Sequence, residues 1–161
     1  MSYIKSTIIN GEEIIHEAKM SKWFFVGEIL LGSLCFIVGF VAQIGFLMHG
    51  NIEKSSYNFN YFLIILGAII LLKVYITYIS TELAFTNKRV IAKVGFIKRD
   101  TVEMNISKVE TIQVHQSILG RILNYGTVII SGAGNPQAHI RGIANPMKFR
   151  TTFMEYTSKN I

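Results

Sequence analysis

The sequence predicts an α+β membrane protein in which a two-helix transmembrane hairpin carries a small antiparallel β-barrel, or two orthogonal sheets, closed by a C-terminal helix. Two long apolar stretches, residues 23–48 and 61–79, precede a more polar remainder. Each stretch is long enough to cross a bilayer, since a spanning helix needs about 20 apolar residues. After residue 79 apolar and polar positions alternate, which is typical of half-buried strands.

Five segments follow from this pattern. Residues 1–22 form a cytoplasmic N-terminal segment, 23–48 the first transmembrane helix and 49–60 a short extracytoplasmic loop. Residues 61–79 form the second helix, and residues 80–161 form a cytoplasmic domain. A domain of about eighty residues is at the small end of what folds alone.

The charge distribution predicts the orientation of the hairpin. Residues 81–161 hold eleven Lys or Arg and five Asp or Glu, so the whole net charge of +6 follows the second span. Lys19 and Lys22 precede the first span, whereas the loop offers only Lys54, balanced by Glu53. The positive-inside rule therefore places both termini in the cytoplasm.

The basic excess also bears on the partners of the domain. A basic domain held at an anionic leaflet gains roughly 1 kcal/mol for each well-placed Lys or Arg. Nucleic acid is the rival partner for a basic domain. Attachment to a membrane disfavours that interpretation, so we expect the lipid bilayer, including anionic phospholipid, rather than nucleic acid.

Two charged residues lie inside the predicted spans. Glu28 falls about one turn into the first span, and Lys73 falls late in the second. Because one helix enters the membrane on the side where the other leaves it, the two side chains should lie at similar depth. They are a candidate intramembrane pair. The alternative is that Lys73 extends to the interface on its own.

Turn residues divide the alternating region into strands. Asn145 is the predicted N-cap of a helix that starts at Pro146 and ends near Thr157. Sequential strands with short connections and one closing helix favour a small antiparallel barrel or orthogonal sheets. The predicted strands are 82–85, 90–94, 101–104, 109–114, 125–130 and 138–142.

The segment before the first span carries the same alternation. Ile14, His16, Ala18 and Met20 occupy every second position. Residues 13–20 are therefore predicted to add a seventh strand, so that the hairpin is inserted between the first and second strands. The alternative is an interfacial helix that enters the membrane.

Several runs resemble one bacterial family. They are Gly11-Glu12, Trp23, TELAFTNKRVI (81–91), GFIKRDTVE (95–103), ISKVETI (106–112) and QSILGRILNYGT (116–127). In these runs the chain resembles the membrane-flanked, or YdbS-like, group of bacterial pleckstrin-homology (PH) domains. The resemblance implies a PH-like barrel on two helices in the bacterial cytoplasmic (inner) membrane, as a multi-pass protein. It implies no established biochemical activity.

In a meander that starts at the membrane, successive turns lie alternately near to it and far from it. The near connections combine apolar and basic residues, as suits the headgroup boundary. They form a candidate membrane or lipid rim, although Leu119 and Leu123 are alternatively core caps. The far turns form a candidate distal partner face of Lys88, Arg89 and Lys108. The rim comprises Phe96, Ile97, Lys98, Arg99, Ile118, Leu119, Arg121 and Ile122.

The sequence contains no recognisable catalytic constellation. Residues 132–134, Gly-Ala-Gly, lack the helix and later glycine of a dinucleotide site, so a hairpin loop is favoured. His115 and His139 are possible metal ligands, but no Cys and only one Asp, Asp100, could assist them, so histidines hydrogen-bonded within strands are favoured. We therefore expect no enzymatic activity, no cofactor and no metal.

These observations lead to two hypotheses. The first is a non-enzymatic, membrane-anchored module that binds a protein partner, or forms a homo-oligomer, at the cytoplasmic face of the membrane. Open strand edges and glycine-bearing spans favour it. The alternative is an accessory protein that senses or handles anionic lipid, which the basic and apolar rim favours.

Overall fold

The computed structural model describes residues 3–49, 54–96, 99–134 and 137–160. The chain divides into two compact units, Met1–Phe24 with Thr77–Ile161, and Phe25–Ile76. The first unit contains the sheets and the second contains most of the two long helices. The elements are α1 (Tyr3–Thr7), β1 (Ile14–Ala18), α2 (Val26–His49), α3 (Lys54–Ser80), β2 (Glu82–Thr86), β3 (Arg89–Val94), β4 (Asp100–Asn105), β5 (Val109–His115), α4 (Ile118–Ile122), β6 (Tyr125–Gly132), β7 (Gln137–Ala144) and α5 (Pro146–Asn160).

The strands form two antiparallel sheets. The first has the order β1-β2-β3-β4, and the second has the order β5-β6-β7. Strand β1 pairs with β2 through Glu17 with Ala84 and Ala18 with Leu83. An isolated bridge between Met20 and Ile143 connects the chain after β1 to β7. The prediction of a strand before the first apolar helix is thus confirmed, and the interfacial-helix alternative is excluded for these residues.

The main core lies between the sheets and α5. Phe85 sits at its centre, with ring centroids 5.6 Å from Phe149 and 5.4 Å from Phe153 in edge-to-face geometry. Alternation along β2 directs Leu83 and Phe85 to this core. The other members are Ala18, Val90, Ala92, Met104, Ile106, Ile112, Val128, Ile130, Ala138, Ile140 and Ile143.

A second, smaller core covers the opposite face of the first sheet. Ile4 of α1 is fully buried and packs with Ala84 and Ile91. The Glu82 carboxylate accepts hydrogen bonds from the backbone N–H groups of Tyr3 and Ile4, each at 3.1 Å. The sequence pattern did not predict α1, because five residues are too few to show helical periodicity. The N-terminal segment is therefore part of the folded domain.

The second unit contains most of two helices that are long and apolar enough to cross a membrane. Helix α3 starts at Lys54, ahead of the apolar stretch predicted from residue 61, and α2 continues to His49. The predicted loop 49–60 is thus largely helical among its described residues. Hydropathy marks where apolar residues stop, whereas backbone hydrogen bonding continues the helix into polar sequence.

Close packing between the two helices relies on glycine. A Cβ atom placed on Gly67 would lie 2.7 Å from the carbonyl oxygen of Gly32 and 2.8 Å from the Phe36 nitrogen. One placed on Gly39 would lie 2.9 Å from Ile64. These positions let the backbones approach more closely than any larger residue would allow.

Candidate interaction surfaces

The first candidate surface surrounds α4, the short helix in the connection between β5 and β6. Ser117 caps its start by accepting a hydrogen bond from Gly120 N–H at 3.1 Å. The Gln116 side-chain amide donates to the carbonyl oxygens of Gly120 and Tyr125, at 3.3 and 3.0 Å. A Cβ atom on the buried Gly120 would lie 2.7 Å from the Tyr125 oxygen. The helix is therefore anchored through its glycine and its capping residues.

This anchoring leaves three aliphatic side chains outside. Ile118 is 83% exposed, Leu119 is 63% exposed and Ile122 is 72% exposed, and the Arg121 side chain between them is exposed too. Leu119 therefore does not cap the core, which was the alternative interpretation, whereas Leu123 is half-buried. Three predicted rim residues thus form one contiguous apolar patch.

The chain that leads into α2 packs on Tyr125, which follows α4 in the same unit. The Phe24 ring packs edge-to-face on Tyr125, with centroids 5.9 Å apart. Phe24 and Ser117 line one cleft of about 320 Å³. The Phe24 ring lies against Gly142, whose backbone has φ 73°. A Cβ atom on Gly142 would be 2.7 Å from the ring, so this close contact requires glycine. Phe24 and the capping residue of α4, Ser117, therefore border the same cleft.

The other predicted rim residues lie in the connection between β3 and β4. Phe96 is 55% exposed and Arg99 is exposed. Ile97 and Lys98 lie outside the described residues. Because β2 begins directly after α3 and pairs antiparallel with β3, this connection is at the end of the sheet where β2 starts.

The predicted distal residues occupy the opposite end of the first sheet. Lys88 and Lys108 are exposed, and the carbonyl oxygen of Lys88 accepts a hydrogen bond from Ile106 N–H at 3.1 Å. The Lys88 Nζ atom also donates to the Asn10 carbonyl oxygen at 3.3 Å. A cleft of about 430 Å³ lies here, lined by Asn87, Lys88, Asn105, Ile106, Ser107, Tyr156 and Asn160.

Arg89, which was predicted to belong to the distal partner face, is instead largely buried and paired within the domain. Its guanidinium donates to both Glu12 carboxylate oxygens at 2.9 Å, to Glu103 Oε2 at 2.6 Å and to the Thr7 carbonyl oxygen at 2.7 Å. Only 17% of the Arg89 side chain is exposed. Because its donors are taken up internally, Arg89 holds the N-terminal segment onto β3.

This network determines the protonation state of Glu12. Burial alone raises the pKa of the Glu12 carboxyl, but hydrogen bonds from Arg89, Ile9 N–H and Thr86, together with the Arg89 charge, lower it to about 2. The hydrogen bond to Glu12 in turn raises the pKa of Arg89. The pair stays ionised at neutral pH, and its role is structural.

A further cleft lies beside the outer strand of the second sheet. β5 pairs only with β6 among the described strands, and α5 packs against part of β5. The cleft has a volume of about 290 Å³. Met154 is half exposed beside the buried Phe153. Its lining residues are Val109, Glu110, Thr111, Ile112, Phe153, Met154, Thr157 and Ser158.

The helical unit brings the two predicted charged residues together. The Lys73 Nζ atom lies 3.4 Å from both carboxylate oxygens of Glu28. The predicted pair is therefore present as an ion pair. Toward the other ends of the helices, Gln43 Nε2 donates to the Tyr61 hydroxyl oxygen at 3.4 Å.

No group of three or more His, Cys, Asp or Glu side chains suited to a metal ion occurs in the part of the chain that the structure describes. His139 instead lies 3.1 Å from Gln137 Oε1. Gly132 is the last residue of β6, and Ala133 and Gly134 follow it in the hairpin connection to β7.

Two antiparallel sheets closed by a C-terminal helix are an architecture consistent with a PH-like domain. The chain belongs to the bacterial PH domain family, whose model matches residues 29–157. PH domains are generally non-catalytic interaction modules. Comparison with curated proteins and with solved structures gave no significant match. The family match starts within α2, so α1 and β1 complete the domain from outside the matched range.

Proposed function

We propose that this protein is a membrane-anchored PH domain that acts, without catalysis, as a protein-interaction or self-assembly module at the cytoplasmic face of the bacterial inner membrane. The pairing of β1 with β2 carries the proposal, because β1 precedes the first apolar helix and β2 follows the second. The helices are thus an insertion within one folded domain. A hairpin that crosses the bilayer twice returns both flanks to the same side, and the basic flanks favour the cytoplasm.

Two features of the folded domain support a protein partner or a second copy. The outer edges of β4 and β5 have no strand partner among the described residues, and such edges accept further strands. The β5 edge lies beside the cleft with the exposed Met154. Lys88 lines the cleft at the far end of the first sheet, and the exposed Lys108 follows Ser107 of its lining, so positive charge there suits an acidic segment of a partner.

The test is native mass spectrometry of the full-length protein released gently from membranes. We compare the wild type with a K88E/K108E double variant and with M154E. The matched control is R141E, which reverses an exposed charge on β7. We expect a defined oligomer or a co-purified protein in the wild type and the control, and its loss in at least one surface variant. A wild-type monomer without a protein partner, or complexes unaltered in both variants, would overturn the proposal.

The exposed residues of α4 favour a second candidate function, the sensing or handling of anionic lipid. In the same measurement, this function predicts a monomer that retains phosphatidylglycerol. Retention should fall in an R99Q/R121Q variant and at high salt, because exposed charges are screened. If neither the R99Q/R121Q substitutions nor high salt lowered the amount of retained lipid, a lipid role for these residues would be contradicted.

A further inference from the structure

We propose that α4 is a membrane contact of the folded domain, with Ile118, Leu119 and Ile122 inserted at the headgroup boundary of an anionic leaflet. The inference rests on the proposed membrane anchoring. It goes further by assigning a bilayer-facing surface to the domain itself, in addition to the two apolar helices.

The construction of α4 supports an outward apolar role. Its inward position is Gly120, and its ends are held by Ser117 and Gln116, so the fold does not use the three aliphatic side chains. Single exposed apolar residues are ordinary on a protein surface. Three on one helix of five residues form a patch, and such patches mark sites of contact with an apolar partner.

Position and charge favour a bilayer as that partner. Phe24, which packs on Tyr125 beyond the end of α4, is followed directly by Phe25 and the apolar helix α2. Trp23 is 56% exposed, and Lys22 next to it is exposed as well. Tryptophan and basic side chains beside aliphatic ones are the usual composition of a membrane-interface contact.

Setting the histidines aside, the charged side chains in the sequence around α4 are all basic. Residues 111–154 contain no Asp or Glu and include Arg121, Arg141, Lys148 and Arg150. No carboxylate from this part of the chain therefore repels an anionic headgroup at the patch. The exposed Arg121 lies within α4 itself and complements a lipid phosphate directly.

The test measures membrane depth in the full-length protein, reconstituted in nanodiscs of phosphatidylcholine and phosphatidylglycerol. The native cysteine is removed as C35A, and a spin label is attached to single cysteines introduced as L119C, I122C, S107C or V41C. Ser107 is an exposed reference elsewhere in the domain, and Val41 is a 60% exposed position on α2. Power-saturation EPR then compares the accessibility of each label to oxygen, which concentrates in lipid, and to a water-soluble nickel chelate.

We expect the labels at 119, 122 and 41 to be more accessible to oxygen, and the label at 107 to be more accessible to nickel. An I118S/I122S change should shift the label at 119 toward water. M147S, a matched change at an exposed apolar residue of α5, should not. Labels at 119 and 122 in water with the label at 41 in lipid would overturn the α4 contact and leave the anchoring intact. All labels in water would overturn the anchoring and the α4 contact together.

Discussion

Arg89 Nη2 lies 2.9 Å from Glu12 Oε2, across 77 positions of the sequence. This ion pair joins the segment before β1 to the first residue of β3, on opposite sides of the helical insertion. The Thr86 hydroxyl donates to Glu12 Oε1 at 2.7 Å and accepts from Arg89 N–H at 3.0 Å. The two halves of the domain are thus held by a buried polar network in addition to the pairing of β1 with β2.

Replacing Glu12 by Gln should destabilise the domain. The change leaves the largely buried Arg89 without its main counter-charge, and breaking such a pair costs roughly 3–5 kcal/mol. We expect the lower end of that range, because Glu103 still contacts Arg89. Denaturant unfolding of the full-length protein in detergent measures the loss. E13Q, at the neighbouring exposed residue, is the control, and equal stabilities of the two variants would contradict the prediction.

The same carboxylate should make stability depend on pH in the acid range. The pKa of Glu12 is about 2 in the folded protein and near 4.5 when unperturbed. The unfolded state therefore binds more protons between these values, and the free energy of unfolding falls as the pH drops from about 4.5 toward 2. Unfolding curves of wild type and E12Q at successive pH values test this. Below about pH 4.5, the free energy of unfolding should depend less on pH in E12Q than in the wild type. Equal pH dependence in the two proteins would exclude Glu12 as the group responsible.

His16 should add a dependence at higher pH. Burial, followed by the positive charge of Lys148, lowers the pKa of His16 from its usual 6.5, and its ring lies 5.9 Å from that of Phe149. The folded state then binds fewer protons than the unfolded state, so stability decreases as the pH falls below about 6.5. A H16F variant should lose this decrease. The exposed His115, changed to Gln, should keep it.

The helical hairpin should be sensitive to the size of residue 67. G67A places a methyl group where it would meet the Gly32 and Phe36 backbones, and overpacking of this kind costs roughly 1–3 kcal/mol. In the matched control G27A, the added Cβ meets nothing within 4 Å. Resistance of the full-length protein to SDS-induced unfolding should fall for G67A alone. An equal effect of both changes would show that the close approach is absent.

Glu28 and Lys73 should be energetically coupled. The single variants E28Q and K73M each remove one charge of the ion pair, whereas the double variant removes both charges. We expect the double variant to lose less stability than the sum of the single losses, by about 0.5 kcal/mol or more. Unfolding in bicelles for all four proteins gives the coupling energy. Additive losses would mean that the 3.4 Å contact contributes nothing in a bilayer.

Much of the architecture could be predicted from local pattern. Alternation predicted strands at residues 82–85 and 13–20, where the structure has β2 and β1, and the Pro146 signal located the start of α5. Asn145 departs from the expected cap: its backbone is left-handed at φ 50°, and its side chain accepts a hydrogen bond from Asn124. Local patterns are reliable here because strand and helix periodicity depend on neighbours in the sequence.

The candidate surfaces were predicted only in composition. The mixture of apolar and basic residues between β5 and β6 could be seen in the sequence. The exposure of these side chains depends on the close contact of Gly120 with Tyr125, which the periodicity of the sequence does not indicate. Arg89 looked like a free surface cation, since Glu12 and Glu103 reach it only in the folded chain.

Hydropathy, periodicity and local motifs were thus enough to predict the two apolar helices, the positions of the strands along the chain and the family. The tertiary structure alone decided that Ile4 covers the first sheet, that Arg89 is internal and that the aliphatic side chains of α4 face outward. Those three results depend on contacts between distant segments. Their energies come from burial and charge pairing in the folded chain, where residues far apart in sequence become neighbours.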